Sequence, residues 1–110
     1  MNLPARQPSG PPRLTVVRGT HAPVAQQARA DWQRVARAVL ACTHELSQHL
    51  LEQRWGRVME AISERRELLE CMAALQLDVD GKRSLLSLRQ AADESEAAIH
   101  EMMGETRRRR

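Results

Sequence analysis

The chain has 110 residues, a formal charge of +3 and two tryptophans, with no tyrosine or phenylalanine. That length allows at most one domain. No stretch approaches a membrane span, and the amino terminus lacks the apolar run of a signal peptide, so the sequence points away from the membrane.

Composition divides the chain before any motif does. All five prolines and two of the five glycines lie in the first 23 residues, which contain no acidic or aromatic residue. The only apolar patch there surrounds Leu14, Val16 and Val17, too little to offset the entropy of ordering. Residues 1 to about 23 therefore read as a disordered arm. The remaining residues to 104 read as one helical bundle, and 105–110 as a basic tail. A core of that size sits near the lower limit for independent folding, which favours a weak homodimer or another bound partner.

The charge divides in the same way. Arg6, Arg13 and Arg18 in the arm and the terminal Arg107 to Arg110 carry +7, whereas residues 24–106 hold ten basic residues and all fourteen acids, a balance of −4. A phosphate-gripping body carries its positive charge on the helices themselves. Here only the ends are basic.

From Ala25 onward strong helix formers dominate and no alternating run occurs, which predicts an all-α fold. The first stripe runs Ala28, Trp32, Val35, Ala36, Val39, Thr43, Leu46, Leu50, a helix over about 24–52 with Pro23 in its first turn. The phase then slips, because Gln53, Arg54 and Arg57 stand where apolar residues are due and the stripe resumes at Trp55. The slip suggests a break or tight turn near 52–55, beside Gly56, with one continuous bent helix as the alternative.

Helix two spans about 55–76. Its seam, Trp55, Val58, Met59, Ile62, Leu69 and Met72, is interrupted by Arg65 and Arg66, and a second stripe of Ala61, Leu68 and Leu75 lies to one side. Such two-sided apolarity suits a middle helix or a face left for a partner. Next comes QLDVDG, in which Asp78 and Asp80 are N-cap candidates. Helix three, about 81–104, has an unbroken heptad register of Leu85, Leu88, Ala92, Ser95, Ile99 and Met102. The fold expected is an antiparallel three-helix bundle in which helices two and three form a hairpin and helix one packs against it.

A hairpin turning near residue 78 places Arg65 and Arg66 across from Ala91 and Ala92. Small alanines leave room for a long side chain, and the nearby carboxylates can take a charge-assisted bond. The interhelical pair expected is Arg66 with Glu94, Asp93 being the other acceptor. The alternative is that both guanidinium groups reach water with no fixed partner.

The segment WGRVMEAISERRELLE, followed by LLSLRQAADESEAAI with Asp93, Glu94 and Ser95 in its acidic stretch, resembles the small flagellar type III export chaperones that guard the filament-cap protein, the FliT-like family. The likeness covers roughly residues 28–103. It implies a cytoplasmic helical protein that binds an export substrate, with the export ATPase complex and the flagellar transcriptional regulator as further partners. The positions it implies for partner binding are Met59, Ile62, Leu68, Leu69, Met72, Leu75, Leu85, Leu86 and Leu88, some of which also serve the core. Methionine suits such a surface through its flexible, polarizable chain. The family's fourth helix and the proline-rich arm have no counterpart in each other's sequence.

Other functions find less in the residues. There is no glycine-rich phosphate loop and no nucleophile with a recognisable base, so no enzymatic activity and no cofactor is expected. Cys42 and Cys71 lack metal spacing and fit a reducing compartment, and His44, His49 and His100 read as surface or edge residues. The seven terminal arginines make a nucleic-acid-associated protein the main alternative, by salt-sensitive phosphate contact, though nucleic acid is disfavoured by the acidic helices. A structural coiled-coil subunit is the other alternative.

Overall fold

The computed structural model describes the backbone of residues 10–108 and the side chains of 24–108. It contains three helices, α1 (Gly10–Leu51), α2 (Trp55–Ala74) and α3 (Val79–Arg108), and no strand among the described residues. The all-α bundle is therefore present. The side chains of the expected arm, 1–23, and residues 109–110 of the tail lie outside the described residues.

α1 begins at Gly10, so the start expected near residue 24 falls inside it. Pro11 and Pro12 stand in its first turn, where a missing N–H costs nothing. α3 also runs past the stop expected at Gly104, to Arg108. A single glycine inside a helix costs only about 1 kcal/mol, and beyond it the Thr106 hydroxyl donates back to the Met102 carbonyl at 3.0 Å.

The break between α1 and α2 falls where the stripe slips. Gln53 takes a positive φ of 56°, and it is not Gly56 that bends. The Arg54 N–H donates to the His49 carbonyl (2.9 Å) and the Gln53 N–H to that of Leu50 (3.1 Å), the crossed pair of a Schellman ending with glutamine in the left-handed position that glycine usually fills. At the second turn, Asp78 caps α3: its Oδ1 accepts the Gly81 N–H at 2.7 Å, and its carbonyl accepts that of Lys82 at 2.9 Å.

Contacts along the helices give their directions. Cys42 and Leu46 meet Ala61 and Val58, whereas Val39 meets Leu69, so α1 and α2 are antiparallel. Ile99 packs beside Ile62 and Ala92 beside Leu69, which makes α3 antiparallel to α2 and parallel to α1. α2 and α3 form the expected antiparallel hairpin, but the closest pair is α1 with α2. Small residues explain it: the Cys42 thiol reaches the Ala61 carbonyl at 3.2 Å, which requires near approach of the two backbones. On the α3 side, Trp32, Arg65 and Ile99 fill the interface, and helix separation follows side-chain size.

Candidate interaction surface

At the centre of the bundle the seam arginine is Arg65, almost fully buried. Its Nη1 donates to Thr43 Oγ1 (3.3 Å) on α1, while its Nη2 donates to the Ala92 carbonyl (3.3 Å) and Ser95 Oγ (3.2 Å) on α3. Thr43 can accept because its own proton goes to the Val39 carbonyl at 3.0 Å. Glu96 Oε2 lies 3.7 Å away. One cation thus ties all three helices together.

The exposed neighbour, Arg66, takes the interhelical pair, but with Glu96 and not Glu94. Its Nε donates at 3.2 Å and its Nη2 completes a fork on the same carboxylate. Glu96 is correct by register, lying between Ala92 and Ile99 on the buried face, whereas Glu94 is exposed and accepts from Gln90 (3.4 Å). The register placing Arg65 opposite Ala92 holds.

A second network closes the other end. Arg29 on α1 spans Asp78 (2.8 Å) and Asp80 (3.0 Å) at the start of α3, and its guanidinium sits 5.6 Å from the Trp32 ring centroid. Trp32 lies directly over Gly81, where an added Cβ would come within 3.0 Å of the indole nitrogen. The Gly81 N–H, and then the Arg29 guanidinium, hold the Asp78 carboxyl below its usual range despite some desolvation. The sequence reading missed this clamp. Its signals were the Arg-x-x-Trp spacing on one helix face and the paired aspartates before a glycine.

Of the residues expected to bind a partner, Ile62, Leu69 and Met72 are enclosed in the core. Leu68, Leu75, Leu85 and Leu88 are half-buried, and Met59 and Leu86 are exposed. The shallow groove between α2 and α3 is lined largely by charge, from Arg66, Glu70, Arg89, Asp93 and Glu96. No continuous apolar strip runs there.

Apolar surface lies open instead between α1 and α3. Ala36 and Leu40 face Ser84, Ser87 and Leu88 across a groove of about 350 Å³ with Arg83 at its rim. Leu40 is 58% exposed. The serines are too short to fill the gap that the wider α1–α3 spacing leaves, so Leu40 stays uncovered and Leu88 only half-covered. A larger apolar groove of about 490 Å³ lies at the Trp32 end, between α1 and the α2–α3 turn.

Cys42 is buried and Cys71 exposed, both free. Burial, aided by Glu64, pushes the Cys42 thiol up from its usual range. Among the described residues no group of three or more acidic, histidine or cysteine side chains is placed to hold a metal ion, and no helix is long and apolar enough to cross a membrane. No family model, curated protein or solved structure matches the chain.

Proposed function

We propose that the protein is a helical export chaperone that holds an amphipathic segment of a secretion substrate, the flagellar filament-cap protein, against α3. The observation that carries this reading is the open groove between Leu40 on α1 and Leu88 on α3. A partner helix reads such a groove through its own anchors at three-and-four spacing.

The resemblance of residues 28–103 to the filament-cap chaperones supplies the class of client, and the geometry supports a binding role in which no bond is made or broken. The docking strip shifts from the α2–α3 face to the α1–α3 flank, because Ile62, Leu69 and Met72 are occupied in the core. The export ATPase complex and the flagellar regulator belong to the same reading as further partners, and the cytoplasm as its place of action.

Co-purification with the carboxy-terminal segment of a filament-cap protein tests it. The wild-type chain should retain the segment, and Leu40→Asp should release it without unfolding. Retention by neither protein would overturn the assignment of client. Equal retention by both would overturn the assignment of face.

A further inference from the structure

The end of the bundle opposite Trp32 leaves apolar side chains uncovered. α1 and α3 run side by side in a fixed register, Arg29 meeting Asp78 and Asp80 at 49 and 51 positions away. The same offset sets Leu51, the last residue of α1, level with Met102 on α3. Leu51 is 81% exposed and Met102 47%. At this end, too, α2 begins, and a small cleft of about 130 Å³ is lined by Trp55, Met103, Thr106 and Arg107. One exposed leucine is ordinary on a protein surface, but a leucine at a turn, a methionine and a half-buried indole at one tip make a patch.

Arginines collect around that patch. Residues 51–58 and 102–110 hold six arginines and two glutamates. The sequence reading put the last four in a tail, yet α3 continues through Gly104 to Arg108, so Arg107 and Arg108 ride on the helix and Arg107 forms one wall of the Trp55 cleft. Arg54 pairs with Glu52 at 3.1 Å, whereas Arg57 reaches Glu60 only at 3.7 Å.

We infer that this tip docks on an anionic phospholipid surface. Leu51 and Met102 enter the acyl boundary, the Trp55 indole sits at headgroup level, and Arg107 and Arg108 face the phosphates. Docking of this kind needs no spanning helix. A free polyanion such as an oligonucleotide offers the phosphates but no apolar phase for the aliphatic side chains, so the exposed leucine and methionine favour lipid.

The tip is distinct from the α1–α3 groove, so it can be tested with no client present. The full chain should co-sediment with vesicles of phosphatidylcholine and phosphatidylglycerol in equal parts, come off as salt rises, and ignore vesicles of phosphatidylcholine alone. Arg107→Ala with Arg108→Ala should lower the partition coefficient about thirtyfold. Leu51→Asp should lower it as well, while Val79→Asp, which makes the same change in charge at a 70% exposed residue of the opposite end, should leave it unchanged. On binding, Trp55 emission should shift to the blue, with Trp32 buried over Gly81 as a silent background. A chain that binds neither kind of vesicle would overturn the inference. So would binding indifferent to Leu51→Asp, or lowered equally by Val79→Asp, since the protein would then respond to charge alone.

Discussion

The Arg65 guanidinium donates to the Ala92 carbonyl at 3.3 Å, from a position almost closed to solvent. A charge placed there depends on its acceptors more than it contributes by itself. Removing one partner of a buried ion pair costs about 3–5 kcal/mol, because the other charge stays in the interior unpaired, whereas replacing the cation by an apolar chain of similar length costs far less. Glu96→Ala should therefore lower unfolding free energy by about that amount, and Arg65→Met by clearly less. Arg66→Ala, whose side chain is 60% exposed, should also lose less than Glu96→Ala. Urea denaturation of the four proteins at neutral pH gives the order.

Gln53 holds the left-handed position of the α1 ending without glycine's freedom. A side chain in that conformation costs about 1 kcal/mol or slightly more. Gln53→Gly should accordingly raise stability by about 1 kcal/mol, less a little for the freer unfolded chain. Chemical denaturation with an unchanged slope would confirm that the gain belongs to the folded state.

Acid should loosen the Trp32 end. The Asp78 carboxyl is held below its ordinary range by the Gly81 N–H and by Arg29, so the folded state binds its proton less readily than the unfolded chain does. The stabilisation is complete above the unfolded carboxyl value of about 3.9 and is lost as pH falls from there through the lower folded value. Asp78→Asn keeps an N-cap oxygen but no charge. Its stability should fall less steeply below pH ~4 than that of the wild type, measured by urea midpoints across a pH series.

The two thiols should separate cleanly. Cys71 is exposed, and Cys42 is buried with its thiol donating to the Ala61 carbonyl. An Ellman-type reagent should modify Cys71 at once in native protein and Cys42 only at the rate of opening, since a buried thiol with a raised ionisation range is a poor nucleophile. Cys42→Ala should abolish the slow phase and leave the fast one.

Much of the architecture was legible because helical periodicity survives single exceptions. The heptad register of α3 and the phase slip at 52–55 both reappear as elements and turn. Boundaries were less legible, since Pro23 and Gly104 are local signals and the helices run through both. The arginine pair was half legible. Arg65 and Arg66 flank the seam by one position each, and only the rotation of α2 against α1 decides which goes inside. Glu96 escaped notice because the hairpin register put Asp93 and Glu94 nearest to the arginines, whereas both are exposed and Glu96 is the acid on the buried face of α3. The open groove was the least legible: a leucine on a seam looks the same in sequence whether its groove is filled or left open. What opens the α1–α3 flank is the short side chains of Ser84 and Ser87, which no apolar count detects.

Amide hydrogen exchange on the full chain, with and without the carboxy-terminal segment of a filament-cap protein, tests the docking strip most directly. Added segment should slow exchange in α1 around Ala36–Leu40 and in α3 around Ser84–Leu88, and leave α2 between Val58 and Leu69 unchanged. Slowing confined to α2, or no slowing at a saturating concentration of segment, would contradict it.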